Sequence, residues 1–207
     1  MIDYGIGNLR SVQKALEHVG AQVELTSDPA RIAAARKLVL PGVGAFGAGI
    51  AALRQRNLVT PIKDAVAAGT PLLGICLGMQ LLFDESEERG AHQGLGLISG
   101  RVVRFSGEGL VVPHMGWNQI EHDGSHPLMR GVPDGAHAYF VHSYYCEPKS
   151  TQAAIARTAY GLPFAAITGR DNVVGLQFHP EKSQRVGLRI LENYFRDFPG
   201  KSKFTRK

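Results

Sequence analysis

Cysteine and long apolar runs are scarce in this 207-residue sequence, and each shortage excludes a class of protein. The two cysteines, Cys76 and Cys146, are too few for a disulfide framework and lack the spacing of metal ligands. They favour a reducing compartment, so a cytoplasmic location is expected. No apolar run approaches the roughly 20 residues that a membrane span needs, and no secretory signal is expected before the first motif.

Metal-binding motifs are also missing, although the sequence has eight histidines. His122 and His126 are four residues apart, but an Asp-Gly-Ser stretch between them and a proline after them predict a loop instead of a helix. Neither a His-Glu-x-x-His nor a Cys-x-x-Cys pattern occurs. We therefore predict no metal and no cofactor.

The formal net charge of +5 and the pI near 9.4 raise the question of nucleic acid. Part of the excess lies in a basic tail, residues 200–207, which is typical of a solvated chain end. The other basic residues are scattered and form no repeat with aromatic ones. No nucleic-acid partner and no membrane partner is expected.

Helix and strand signals alternate along the first half of the chain. Asn8, Asp28 and Ser183 are candidate N-caps, and glycines or prolines mark most of the other boundaries. The predicted helices cover residues 9–19, 29–36, 60–68, 77–83 and 185–197. The predicted strands cover residues 22–26, 37–40, 72–75, 101–105, 118–120, 139–141, 153–158, 164–168 and 173–178.

This order predicts one α/β domain spanning residues 1–207. The first half implies a largely parallel central sheet with helices on both faces, and the C-terminal half adds antiparallel strands. Residues 1–3 form only a stub before a glycine-rich turn, whereas a strand usually has about five or six residues. The first strand is therefore expected to be cut short.

The pentapeptide from Gly74 to Gly78 has the pattern Gly-x-Cys-x-Gly after a short apolar strand and before a helical run. It is the thiol counterpart of the nucleophile elbow, whose sharp turn leaves no room for a Cβ at the glycines. The turn places the Cys76 thiol at a helix N-terminus, which favours the thiolate, and aims the backbone N–H of Leu77 at an oxyanion. The alternative is a buried structural cysteine.

A second candidate motif is the His-Pro-Glu sequence that ends the last predicted strand. Glu181 lies two residues after His179, so an extended backbone puts both side chains on one side. A carboxylate in that place can orient the imidazole and stabilise the imidazolium. Together with Cys76 these residues predict thiol acyl transfer, a chemistry that cysteine proteases and amidotransferases share.

Residues 42–47 read Gly-x-Gly-x-x-Gly directly after a predicted strand, as in a dinucleotide-binding fingerprint. That function requires a second strand that ends in an acidic residue about 20 positions later. The nearest candidate, Asp64, falls inside a predicted helix instead. We favour the alternative that Gly42, Val43 and Gly44 form a loop that lends a backbone N–H to the oxyanion hole with Leu77.

Taken together, the motifs resemble class I (triad-type) glutamine amidotransferases, and more narrowly the glutaminase subunits of imidazole glycerol phosphate synthases. The elbow and the His-Pro-Glu sequence are shared by the whole class, whereas Asp-Tyr-Gly-x-Gly-Asn and Pro-His-Met-Gly-Trp-Asn are more particular to the histidine-pathway subunit. The matching stretches run in family order along nearly the whole chain, at residues 3–9, 41–46, 74–80, 94–98, 113–118, 140–145 and 175–182.

The resemblance implies hydrolysis of L-glutamine to glutamate and ammonia by a Cys76–His179–Glu181 triad. A γ-glutamyl thioester on Cys76 would be the intermediate. By position, the residues implied to bind glutamine are Gln80, Glu88, Ser143, Tyr144 and Tyr145. For Gln80 the alternative is an ordinary exposed residue of the first helical turn.

The resemblance also implies a partner, a (β/α)8-barrel cyclase that uses the ammonia to make imidazole glycerol phosphate and an aminoimidazole carboxamide ribotide. The heterodimer interface is implied to include Asn8, Ser11, Trp117, Tyr139 and Lys182. Core packing is the alternative role of Trp117, the single tryptophan. The rival functions are the glutaminase of another ammonia-channelling synthase, such as that of pyridoxal phosphate or anthranilate synthesis, and a catalytically silent α/β scaffold.

Overall fold

The computed structural model describes residues 1–198, and the predicted basic tail lies outside them. The helices are α1 (Leu9–His18), α2 (Pro29–Ala33), α3 (Phe46–Gln55), α4 (Val59–Ala67), α5 (Leu77–Leu81) and α6 (Gln184–Arg196). The strands are β1 (Leu38–Gly42), β2 (Leu72–Cys76), β3 (Phe83–Ser86), β4 (His92–Gln93), β5 (Ile98–Arg104), β6 (His114–Ile120), β7 (Ala136–His142), β8 (Tyr144–Pro148), β9 (Ala154–Tyr160), β10 (Leu162–Arg170) and β11 (Val173–Leu176).

The central sheet has the strand order β1-β2-β11-β10-β9. The strands β1, β2 and β11 are parallel, and β10 and β9 extend the sheet in antiparallel fashion. Every residue of β1, β2 and β11 is buried, as expected for parallel strands covered on both faces. The predicted parallel sheet with added antiparallel strands is confirmed.

Two hydrophobic clusters cover the two faces of this sheet. One joins side chains of α1 and α6 to Val39 and Leu73, and the other joins α2, α3 and α4 to Leu38 and Leu40. Successive residues of β1 therefore point into opposite cores, which is the period of two that a strand imposes. Helices lie on both faces, as predicted.

Smaller sheets carry the rest of the C-terminal half. A four-stranded sheet has the order β4-β3-β5-β8, and β6 pairs with β7 in an antiparallel hairpin. The strands predicted within residues 101–168 are present and longer than predicted, but β3, β4 and β8 were not predicted. The helical run predicted for residues 77–83 ends at Leu81 because the chain enters β3 at Phe83.

Several local predictions were wrong. Residues 22–26 do not form a strand, because only Thr26 makes a bridge, to Ile2 of the short first segment. The helix α3 was missed, since three glycines in the region of residues 44–49 weaken its helical signal. Asn8 and Ser183 stand at the N-cap positions of α1 and α6, yet neither side chain makes a capping hydrogen bond. Asp28 does cap α2, by accepting from the Ala30 N–H.

The close contact between α5 and β1 leaves no space at Gly78. A Cβ built on Gly78 would overlap the Leu40 carbonyl oxygen, a backbone atom that cannot move aside. We expect Gly78→Ala to lower the free energy of unfolding by more than about 3 kcal/mol, or to prevent recovery of folded protein. Urea denaturation measures the difference.

Gly107→Ala is the matched control for this substitution. A Cβ on Gly107 would meet the Leu110 Cβ at 3.7 Å, an ordinary van der Waals contact. Its free energy of unfolding should stay within about 0.5 kcal/mol of the parent value. Equal stability of the two alanine variants would contradict the close packing of α5 on β1.

Candidate active site

The backbone of Cys76 turns sharply where β2 meets α5. Cys76 has φ 55° and ψ −112°, a backbone conformation that residues other than glycine rarely adopt. A Cβ on Gly74 would lie 2.6 Å from the Gly78 carbonyl oxygen, so both glycines of the motif are sterically required. The predicted strand–elbow–helix arrangement is therefore present, with the Cys76 side chain on the wall of a cavity.

His179 approaches the same sheet edge from β11. The parallel register pairs Leu176 with Ile75, so both strands end side by side and His179 follows three residues later. Its Nδ1 lies 2.9 Å from Oε1 of Glu181, and both side chains are almost fully buried. The structure thus brings His179 and Glu181 together as predicted, and His179 lines the same cavity as Cys76.

The charge state of His179 follows from these neighbours. Burial disfavours the imidazolium, but the Cys76 sulfur and the Glu181 carboxylate outweigh burial and raise the pKa of His179 to about 9. Because Nδ1 donates to Glu181, the other ring nitrogen, Nε2, is the one available for proton transfer. That Nε2 is buried and has no hydrogen-bond partner among residues 1–198.

The cavity in front of Cys76 has a volume of about 330 Å³, enough for an amino-acid side chain with its α-substituents. Its wall combines apolar groups with several polar side chains. The residues that line it are Val43, Gly44, Cys76, Leu77, Gln80, Glu88, Pro113, Val141, His142, Ser143, Tyr144 and His179.

Gln80 is not the exposed helical residue of the alternative interpretation. Its side chain is 5% exposed. The amide Nε2 donates to the Tyr144 carbonyl oxygen at 3.0 Å and to Oε1 of Gln177 at 3.1 Å. Gln80 therefore ties α5 to β8 at the cavity wall. Gln177, which the sequence did not single out, is its buried partner.

Glu88 reaches the cavity from the loop after β3 and also supports α3. Its Oε2 accepts from the Phe46 N–H at 2.6 Å, where α3 begins without a side-chain cap of its own. The carboxylate thus occupies the helix N-terminus that follows the glycine-rich loop. Since a dinucleotide pyrophosphate would need that N-terminus, this contact argues against the nucleotide-binding alternative. Asp64 lies within α4, as predicted.

Six other predicted residues divide between the cavity wall and the supporting structure. Ser143 and Tyr144 line the cavity, but Tyr145 is buried outside it, with its hydroxyl donating to Glu147. Val43 and Gly44 line the cavity, whereas Gly42 lies beneath them in β1. A Cβ on Gly42 would overlap the Tyr4 hydroxyl, so Gly42 allows β1 and the N-terminal segment to pack closely.

The predicted interface residues lie around one side of the cavity. Trp117 is 49% exposed, which excludes the core-packing alternative. Its ring meets the Tyr139 ring edge-on at 6.0 Å between centroids, and the Lys182 Nζ lies 5.6 Å from the Tyr139 centroid. Helix α1, which carries Ser11, packs against the turn that contains Lys182, and Asn8 is exposed just before that helix.

Ser183 connects this surface to the histidine of the site. Its hydroxyl donates to the His179 carbonyl oxygen at 2.7 Å and accepts from the Tyr139 N–H at 3.0 Å. The His179 N–H in turn donates to the Tyr139 carbonyl oxygen at 2.9 Å. The main chains of His179 and Tyr139 are therefore joined at two points. The hydroxyl predicted to cap α6 serves this connection instead.

Residues 1–198 contain neither a metal-binding cluster nor a membrane-spanning helix. In that range no group of three His, Cys, Asp or Glu side chains is arranged to hold a metal ion. His122 and His126 instead accept from backbone N–H groups of their own loop, those of Gly124 and Leu128. None of the helices described is long and apolar enough to cross a membrane.

Comparison with known proteins defines the class. The family model "Glutamine amidotransferase class-I" matches residues 1–198. Solved structures share the fold: a glutamine amidotransferase aligns with a TM-score of 0.74 at 18% identity, covering 94% of this chain and 97% of that one. PurLQS from Thermotoga maritima gives 0.71 at 20% identity, covering 94% and 95%. The chain belongs to the class I glutamine amidotransferase family.

Curated relatives narrow the comparison within that family. The imidazole glycerol phosphate synthase subunit HisH of Syntrophotalea carbinolica is 56% identical over 94% of this chain and 97% of its own length. The subunit of the same name from Geobacillus thermodenitrificans is 53% identical over 94% and 93%, and that of Salinibacter ruber is 51% identical over 94% and 92%. The resemblance inferred from the motifs is confirmed.

The contact between His179 and Glu181 generates a prediction about proton affinity. Glu181→Gln removes the carboxylate that helps to raise the pKa of His179, so that pKa should fall from about 9 toward its ordinary value of 6.5. Turnover should drop by about 10² or more, because the imidazolium loses its support. NMR titration of the His179 ring gives the pKa.

Glu192→Gln is the control, since this half-buried carboxylate of α6 pairs with Arg189 and Arg196 of its own helix. It should leave the titration of His179 unchanged. An unaltered His179 pKa in Glu181→Gln would show that Glu181 does not set the proton affinity of the imidazole.

Proposed function

We propose that this chain hydrolyses L-glutamine to glutamate and ammonia, with Cys76 as nucleophile, His179 as acid and base, and Glu181 as the residue that orients His179. The observation that carries the proposal is the buried His179–Glu181 pair at 2.9 Å, whose free Nε2 shares the cavity wall with Cys76. Membership of the amidotransferase family supplies the substrate class.

The reaction follows from this arrangement. The Cys76 thiolate attacks the carboxamide carbon, and the backbone N–H of Leu77 with the Val43–Gly44 peptide stabilises the oxyanion. An imidazolium with a pKa of about 9 is protonated at neutral pH, so His179 can give its proton to the departing nitrogen and release ammonia. Water then attacks the thioester while His179 takes a proton from it, and glutamate leaves with the thiol restored.

The polar groups on the cavity wall suit the rest of the substrate. Two pairs of residues line the cavity together with Cys76: Gln80 with Glu88, and Ser143 with Tyr144. We assign the γ-carboxamide end to the first pair and the α-amino and α-carboxyl groups to the second. Tyr145 takes no part beyond the backbone of β8, because it lies outside the cavity.

We further propose that the ammonia passes to a (β/α)8-barrel cyclase, which makes imidazole glycerol phosphate and an aminoimidazole carboxamide ribotide in histidine biosynthesis. Free ammonia is largely protonated in neutral water, so a subunit that only released it would waste the nucleophile. The relatives named as synthase subunits support this partner. Two free cysteines are consistent with the reducing cytoplasm, where we place the complex.

The exposed face of the β6–β7 hairpin is the docking surface that we propose. Met115 and Trp117 are 62% and 49% exposed, although large apolar side chains are usually covered. Their register partners on β7 are Val141 and Tyr139. Val141 also lines the cavity, so a protein seated on this face would lie next to the site that releases ammonia.

The nucleophile assignment is tested with both cysteines of the chain. Cys76→Ala should reduce ammonia release from glutamine to background, with or without the cyclase, and should abolish labelling by a glutamine-analogue electrophile. Cys146→Ala should keep both, because that buried thiol lies outside the cavity and burial raises its pKa. Mass spectrometry locates the label, and wild-type protein that stays unlabelled on Cys76 in the presence of the cyclase would refute acyl transfer.

Coupling of docking to activity is tested at Lys182, which directly follows the triad carboxylate and faces the Tyr139 ring. Loss of an exposed cation–π contact is worth roughly 0.5–1 kcal/mol, so Lys182→Ala should weaken cyclase-stimulated glutaminase by about two- to fivefold. Lys63→Ala, on the exposed side of α4, is the control and should leave stimulation intact. If the cyclase stimulated the glutaminase activity of Lys182→Ala as strongly as that of Lys63→Ala, coupling of docking to activity through Lys182 would be excluded.

A further inference from the structure

Two buried histidines face each other inside the β6–β7 hairpin. His114 and His142 are register partners, and Nδ1 of His114 lies 3.0 Å from Nε2 of His142. The ring of His114 is stacked between Phe140 and Tyr160, with centroid distances of 4.9 and 4.2 Å. This pair belongs neither to the triad nor to the exposed docking face.

Both rings are neutral at physiological pH. Burial lowers the pKa of His114 to about 4. Burial also lowers the pKa of His142 to about 3, and the neighbouring imidazoles of His114 and His179 add to that effect. A neutral imidazole has one donor nitrogen and one acceptor nitrogen, so the surrounding partners decide which is which.

The partners fix every proton in this group. Nδ1 of His142 lies 2.8 Å from the Tyr144 carbonyl oxygen, which only accepts, so Nδ1 carries the proton and Nε2 is an acceptor. Nδ1 of His114 must then donate to that Nε2, which leaves Nε2 of His114 as an acceptor. The Asn118 amide Nδ2 donates to it at 3.2 Å and also to the Ala159 carbonyl oxygen at 2.9 Å.

The result is a chain of hydrogen bonds that all point one way, from Asn118 through His114 and His142 to the Tyr144 carbonyl. The chain ends at a corner of the cavity. His142 is the last residue of β7 and Tyr144 the first of β8, so the bond from side chain to carbonyl closes the bend at Ser143 between them. Gln80 donates to the same carbonyl oxygen, at 3.0 Å.

We propose that His142, oriented by His114, is a positioning residue that holds the Ser143 corner in the shape that binds the α-substituents of glutamine. The proposal rests on the proposed function, because it concerns the substrate of that site. Buried polar groups stabilise a structure only when they are fully partnered, so apolar side chains would suffice to pack the core of this hairpin. The proposal gives the two histidines a role beyond packing.

Two substitutions at His142 separate its two hydrogen bonds. In His142→Asn the amide nitrogen stands near the place of Nδ1 and can still donate to the Tyr144 carbonyl, but the bond from His114 is lost. In His142→Gln the amide oxygen stands near the place of Nε2 and can still accept from His114, but the donor to Tyr144 is lost. Both variants remove the ring, so they share the cost of the lost packing.

Steady-state glutaminase kinetics of the two variants, assayed with the cyclase, test the proposal. We expect the KM for glutamine to rise about tenfold in His142→Gln and to stay within about threefold of wild type in His142→Asn, with kcat changed less than KM in both. Equal KM values in the two variants, or a loss confined to kcat, would overturn the positioning role. Thermal unfolding confirms that each variant is folded.

A measurement on the wild-type chain is independent of catalysis. The ¹⁵N chemical shifts of the imidazoles should show protonated Nδ1 and unprotonated Nε2 in both His114 and His142, unchanged between about pH 6 and 8. The opposite tautomer in either ring would refute the proposed chain of hydrogen bonds. Because this measurement uses wild-type protein, it decides the question even if a variant fails to fold. If wild-type protein had no glutaminase activity, the proposed function would be refuted, but the tautomer measurement would still stand.

Discussion

The backbone conformation of Cys76 is the constraint on which the site depends. A residue with a side chain at φ 55° and ψ −112° costs of the order of 1–3 kcal/mol, so the surrounding structure must hold it there. The sheet does so, because β2 is buried between β1 and β11 and α5 begins at the next residue. The turn is tight enough that Gly78 lies against the Leu40 carbonyl. Because of this tight turn, the Cys76 thiol lies on the cavity wall.

The direction of β11 brings His179 to this thiol. Because β11 runs parallel to β2, its end lies beside Cys76, whereas an antiparallel strand would carry His179 to the far end of the sheet. The main chain of His179 is then fixed from outside the sheet, through Tyr139 and Ser183. One wall of the site is thus the edge of the sheet. Another is the β6–β7 hairpin, whose Val141 lines the cavity and lies on the face that exposes Trp117.

The sequence was informative wherever a local rule determines the structure. The elbow glycines, the Asp28 cap and the apolar strands of the sheet follow from neighbouring residues alone, and these predictions were confirmed. Prediction failed where tertiary contacts override local preference. The Ser183 hydroxyl is occupied by the Tyr139 N–H of β7 and the His179 carbonyl oxygen, and the start of α3 is supported by Glu88, 42 residues away. Nothing in the local sequence announces such partners.

The same distinction separates the proposed triad from the rest of the site. His179 and Glu181 are two residues apart, so their pairing can be deduced from spacing, but Gln80 finds its partners 64 and 97 positions away.

A few polar atoms are buried without a hydrogen-bond partner among residues 1–198, and one of them belongs to a residue that lines the cavity. A buried nitrogen without a partner costs about 1–3 kcal/mol unless a ligand or water satisfies it. Nε2 of His179 is such an atom, and it lies on the wall that it shares with Cys76. In the imidazolium this nitrogen is a donor, so the Cys76 thiolate or the departing nitrogen of the substrate would supply the missing acceptor.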